Sequence, residues 1–174
     1  MDNDGCCDCE RCFRHMSQIL AMIQHLDKII ELSPYRLDHQ GHNSTIESTK
    51  FDSKQIPKIS MAVYIQRFVH HHAYFEWPVL VVALVYIERI QAIDEAHRIT
   101  AFNVHRMVCT AFVLAYKYTS DHVYSNKQMS LMGGFDNPRE LNLLEIYTLN
   151  AIEWDLHITK QVFEESARDY LMLM

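Results

Sequence analysis

The sequence is short of chain breakers. Four glycines and four prolines in 174 residues, with few runs of alternating polarity, argue against a strand-rich fold and for an all-α one in which breakers mark the joints. Long apolar runs are missing too: the longest, Trp77 to Ile87, stops at Glu88, well short of the roughly 18 residues that a membrane span needs. The first residues carry neither the basic nor the apolar region of a signal peptide, so an intracellular chain with reduced thiols is expected, in cytoplasm or nucleus. There is no excess of basic residues, and a net charge of -6 argues against nucleic acid or an anionic membrane as partner of the surface as a whole. The sequence has no phosphate-binding glycine loop, no helix with paired metal-binding histidines and no glycine-flanked serine. Its carboxylates are scattered rather than paired, so nothing points to an enzyme and no cofactor is expected.

What the sequence does contain is helical periodicity. At 49% hydrophobic and 22% charged, the chain has the length and balance of one globular domain with a proper core. Residues 1–12, MDNDGCCDCERC, form a polar tail with four of the five cysteines. After it, Met16, Ile19, Leu20, Ile23, Leu26 and Ile30 recur at spacings of three and four, which describes an amphipathic accessory helix over 13–33. Residues 34–56 have no period and read as a linker or long surface loop.

Five helices are expected within 57–158. Ser60 is placed as N-cap, with Ile59 and Tyr64 as a hydrophobic staple, for a helix from Met61 to about His72. A second starts near Pro78, suited to a first turn, and runs to about Ala92. A short fourth, Asn126 to Leu131, is closed by Gly133 and Gly134. Asn137, Pro138 and Glu140 stand as N-cap, first-turn proline and capping-box acid of a fifth lasting to about Trp154. Thr159 is placed to cap a final helix over 159–174.

The third helix, Thr100 to Asp121, is the one around which the others are expected to gather. Phe102, Val104, Met107, Val108, Phe112, Val113, Leu114 and Tyr116 occupy most of its circumference, so it must be surrounded by other helices. Asn103, Arg106, Thr110 and Lys117 fall in one narrow stripe. The first three read as an ordinary solvated face, and Lys117 lies near the C-terminus, where the macrodipole favours a cation.

Several other residues stand out. Glu145 interrupts an apolar stripe between Leu141 and Leu149, with Ile152 beyond. It is either an edge charge reaching water, or one hydrogen-bonding charge inside an apolar interaction surface. In the tail, Cys6, Cys9, Cys12 and His15 could supply four zinc ligands, but a structural zinc site usually draws ligand pairs from two separated segments. The tail cysteines could equally be acylated, or have no special role. His70, His71 and His72 point in different directions on a helix and suit a solvated helix end. Cys109 reads as a small buried residue.

The stretches PKISMAVYIQRF, LVYIERI, HRMVCTAFVLAYKYTSDHVYSN, MGG and ELNLLEIYTLNAIEWDLHIT, in this order, resemble the cyclins. The resemblance covers about Pro57 to Thr159 and is strongest to single-box cyclins of the fungal phosphate-signalling type and the plant P/U types. It implies a five-helix cyclin box with its third helix central, and binding and activation of a cyclin-dependent protein kinase. It also implies that Lys117 and Glu145 bond to the kinase near its mobile C helix, and that Tyr118, Leu149, Trp154 and Leu156 pack on the same helix. A structural ion pair of the family has Glu88 in the place of an aspartate, with Arg67 as candidate partner. The first helix lacks the Met-Arg-Ala-Ile-Leu run that many cell-cycle cyclins use to dock substrates. Two other readings remain: a box-fold scaffold or transcription adaptor that activates no kinase, and a metal- or redox-responsive protein acting through the cysteine tail.

Overall fold

Apolar faces on successive helices have to be covered by one another, and a helix apolar on most sides needs neighbours on most sides. The computed structural model describes residues 20–21, 23–24, 26–28, 49–71, 77–122 and 124–171. Its elements are α1 (Met61–His71), α2 (Trp77–Gln91), a 3-10 turn (Glu95–His97), α3 (Val104–Thr119), α4 (Asn126–Gly133), α5 (Pro138–Ala151) and α6 (Lys160–Leu171). Among the described residues there is no strand, and no helix is long and apolar enough to cross a membrane. Helical residues earlier in the chain bring Ile23 and Leu26 into the same core. The cysteine tail with Cys6, Cys9, Cys12 and His15, most of 34–56, and His72 lie outside the described residues.

α3 is buried from Val104 to Tyr116 with only Arg106 partly exposed, and it packs on α2, α4 and α5. α2 is buried at every position from Val79 to Ile87, because α3 covers one side and α6 another. Phe112 stacks on Phe68 of α1 at 5.5 Å between ring centres, and α1 also packs on α4. Ser60 caps α1 through Oγ to the Val63 amide at 3.4 Å, while Ile59 and Tyr64 pack into the core as a staple would.

The stripe of Asn103, Arg106 and Thr110 departs from the solvated face expected of it. Asn103 and Thr110 are fully buried. Each satisfies itself locally: Asn103 accepts from the Thr100 amide at 2.8 Å and donates to the Arg98 carbonyl at 2.9 Å, and Thr110 donates to the Arg106 carbonyl at 2.8 Å. Short polar side chains can be buried when such backbone partners lie within reach. Arg106 pairs with Glu140 of α5 and donates to the Asp52 carbonyl at 3.2 Å. That pair also removes Glu140 from the capping box expected of it; Asn137 caps α5 alone, accepting from the Arg139 amide at 2.9 Å. The bend before α3 uses Thr100 to Asn103, so the helix begins at Val104 rather than Thr100.

Buried His105 makes α3 sensitive to acid. Its Nε2 donates to the Ile59 carbonyl at 3.0 Å, its ring lies edge-on to Tyr64 at 4.8 Å, and its buried Nδ1 has no hydrogen-bond partner. Burial, opposed by the Ile59 carbonyl, holds its pKa below the ordinary histidine value. The unfolded chain therefore takes up this proton first as pH falls. The stability tied to neutral His105 is complete above about pH 6.5 and is lost as pH falls from there through the depressed folded value. Thermal melts between pH 7.5 and 5 should show a falling Tm, with a shallower fall in His105→Phe.

Candidate functional site

The polar edge of the core lies where the end of α3 meets α5. Lys117 stands in the last turn of α3 and Glu145 midway along α5, and their side chains meet, Nζ to Oε1 at 2.5 Å. The Glu145 side chain is 14% exposed and that of Lys117 30%, so the pair sits at the boundary, neither fully wet nor fully desolvated. The other oxygen, Oε2, accepts from Nδ2 of Asn126 at 2.6 Å, and the same Nδ2 donates to Oδ1 of Asn142 at 2.7 Å. α4 places Asn126 there because Ser125 forms a reciprocal capping box with Gln128 and fixes the helix start.

The same helices and the turn after α5 also carry exposed apolar side chains. Leu143 and Ile146 of α5 are more than half exposed, as is Trp154, and Tyr118 is nearly so. Leu143, Ile146 and Asn150 follow one edge of α5 at helical spacing, and the Trp154 indole continues it by donating to Asn150 Oδ1 at 3.1 Å. Leu149 and Leu156 are turned the other way: both are half-buried and pack against the core. Of the apolar residues read from the sequence, Tyr118 and Trp154 are thus open, whereas Leu149 and Leu156 mainly support. Leu143 and Ile146 are the exposed members that the sequence pattern does not separate from core leucines.

The backbone after α5 is held in an unusual turn. The Trp154 amide donates to Leu149 O at 2.7 Å and the Glu153 amide to Asn150 O at 3.1 Å, the paired closure of a Schellman ending. It ends α5 at Ala151 instead of near Trp154. Both Glu153 (φ 55°) and Trp154 (φ 60°) are left-handed without being glycine, a conformation costing roughly 1–2 kcal/mol per residue. The chain beyond this turn is pinned from α2: Tyr86 donates to the Leu156 carbonyl at 2.9 Å and Arg89 to the His157 carbonyl at 2.8 Å and the Asp155 carbonyl. Glu153 is exposed, so Glu153→Gly should relieve strain without losing a contact. We expect a gain of about 0.5–1 kcal/mol after the entropy cost of glycine, read as a Tm rise of a few degrees.

Arg67 and Glu88, the candidate ion pair, are both exposed. Cys109 is fully buried beside Tyr64, and burial pushes its thiol up to about 12, which fits a packing residue rather than a nucleophile. Among the described residues no group of three or more histidines, cysteines or carboxylates could hold a metal.

Comparison with known proteins agrees with this architecture. A profile of the cyclin family matches residues 15–156. The chain belongs to the cyclin family. It is similar to the Nuc-1 negative regulatory protein preg of Neurospora crassa, with 31% identity over 142 residues, covering 81% of this chain and 29% of that protein. To Cyclin-U2-1 of Arabidopsis thaliana it is 34% identical over 114 residues, 66% of this chain and 50% of the relative. To Cyclin-U4-3 of the same plant it is 28% identical over 162 residues, 91% of this chain and 70% of the relative. The cyclin chain therefore spans half or less of the length of the first two, and the Lys117–Glu145 edge lies within the matched region.

Proposed function

We propose that this cyclin is a regulatory subunit that binds and activates a cyclin-dependent serine/threonine protein kinase inside the cell. The observation that carries the reading is the Lys117–Glu145 pair at 2.5 Å, on two helices that, with the turn after α5, also expose the apolar residues Tyr118, Leu143, Ile146 and Trp154. An apolar surface around a small number of fixed hydrogen-bonding groups is the anatomy of a protein interface. The kinase C helix lies over this edge, with backbone groups reaching the ammonium and the carboxylate and apolar side chains covering Ile146 and Trp154.

Activation is a population shift. The free kinase holds its C helix displaced, so that the glutamate needed to orient the ATP-contacting lysine is out of place. A preformed surface that binds only the inward helix raises the population of that state by its difference in affinity. Stiffness therefore matters, and the braces from Tyr86 and Arg89 to residues 155–157 supply it. The cyclin contributes no catalytic group.

The test is affinity purification of the chain from its native cell, identification of the co-purifying kinase, and assay of that kinase, purified, with and without the chain. A cyclin-dependent kinase whose activity rises on addition is the expected result. A kinase that binds without activation supports a scaffold instead, and recovery of no such kinase overturns the proposal.

A further inference from the structure

The Glu145 carboxylate has two oxygens, and Lys117 engages only one. The other is held by Asn126, whose two amide hydrogens go to Glu145 Oε2 at 2.6 Å and to Asn142 Oδ1 at 2.7 Å. Lys117, Glu145, Asn126 and Asn142 thus form one polar chain tying the end of α3, the start of α4 and the middle of α5. The orientation of the Asn126 amide is set by the carboxylate: turned over, its carbonyl would face Glu145 Oε2, which can only accept. Holding it so has a cost, since Asn126 Oδ1 is buried and without a hydrogen-bond partner.

We propose that Asn126 is a positioning residue for kinase binding: by holding Oε2, it fixes the rotamer of Glu145, and so the Lys117–Glu145 pair, before the kinase arrives. The proposal rests on the kinase-binding reading above. A carboxylate on a long side chain with a single partner samples several rotamers, and the free-energy cost of selecting one falls on the binding step. With both oxygens engaged, that selection is made on folding. Asn126 needs no contact with the kinase to do this.

The experiment is a double-mutant cycle on the full chain, with the purified co-isolated cyclin-dependent kinase as probe. Asn126→Ala should weaken association about tenfold or more, the scale of one hydrogen bond to a charged group. Asn126→Asp, which sets a second carboxylate against the first, should weaken it further, with Tm within about 3 °C of the parent in both variants. In a Glu145→Ala background, Asn126→Ala should change association by less than about twofold, because nothing remains to be positioned. An undiminished effect in that background, or no loss in Asn126→Ala alone, overturns the proposal. The isolated chain gives an independent readout. By NMR the Asn126 side-chain amide protons should be protected from exchange relative to those of exposed Asn150, and lose that protection in Glu145→Ala. Unprotected protons overturn the positioning role whether or not a kinase binds, while failure of the unaltered chain to bind any kinase overturns the function and leaves this measurement standing.

Discussion

Lys117→Ala or Glu145→Ala will largely abolish pull-down of the kinase, leaving a weakened affinity that titration still measures, with the helical melting curve almost in place. In the free cyclin the pair lies at the boundary, with the Lys117 side chain 30% exposed, so water can replace part of what either partner loses. Pairs of this kind contribute about 1 kcal/mol or less to stability. On the proposed binding mode the same groups become dry under the kinase helix, where a charge left without its partner costs on the order of 2 to 5 kcal/mol, which is about thirtyfold to several thousandfold in affinity. The exchanged variant, Lys117→Glu with Glu145→Lys, separates the two roles. It can rebuild an ion pair within the cyclin and keep its Tm, but it presents donor and acceptor to the kinase in reverse order, so binding should stay lost. Normal kinase activation by the double alanine variant would remove these residues from the site.

The fold was largely readable because each helix announces its buried face. The unbroken apolar run of α2 and the all-round apolar α3 leave no arrangement in which either lies at the surface. Residues whose role depends on a distant partner were not readable. Arg106 and Thr110 fall on the polar stripe of α3 by periodicity, yet Thr110 is fully buried and Arg106 pairs with Glu140, 34 positions away. The same ion pair takes Glu140 from its capping box, where local pattern alone would have kept it.

The site divides in the same way. Lys117 and Glu145 stand out as charges breaking apolar patterns, but no spacing rule says that they meet, since α3 and α5 are set side by side only by the core between them. Asn126 is a polar residue in a polar turn, and only the Ser125 and Gln128 capping pattern hints that it opens a helix at a fixed place. The left-handed turn at Glu153 and Trp154 carries no glycine to advertise it, and for that reason α5 reads as longer than it is.

Gly133→Ala should lower the Tm by several degrees. A Cβ there would lie 2.5 Å from Cys109 Sγ and 2.8 and 2.9 Å from the Phe135 ring, all closer than atoms can approach. Neither neighbour yields easily: Cys109 is fixed on the central helix with no exposure, and Phe135 is buried beneath the Arg106 guanidinium. The Gly133 carbonyl also accepts the Tyr64 hydroxyl at 3.1 Å, so moving α4 outward breaks a hydrogen bond while relieving the clash. Overpacking of this kind costs about 1–3 kcal/mol, and at roughly 2–4 °C per kcal/mol for a chain of this size the fall is about 2–12 °C. The gain in helix propensity from glycine to alanine, at most about 1 kcal/mol, is smaller than the middle of that range. Gly134→Ala is the control. Its Cβ would meet nothing nearer than Arg67 at 4.0 Å, so only its left-handed φ of 70° is at stake, with an expected cost of roughly 1–2 kcal/mol. Cys109→Ala should restore part of the stability lost in Gly133→Ala, because the thiol contact disappears and the ring contacts remain. A Gly133→Ala variant that melts within a degree of the parent would show that α3 and α4 do not approach as closely as this packing requires. Because α4 carries Asn126 at its other end, the same substitution should also weaken kinase binding, by moving the amide that holds Glu145.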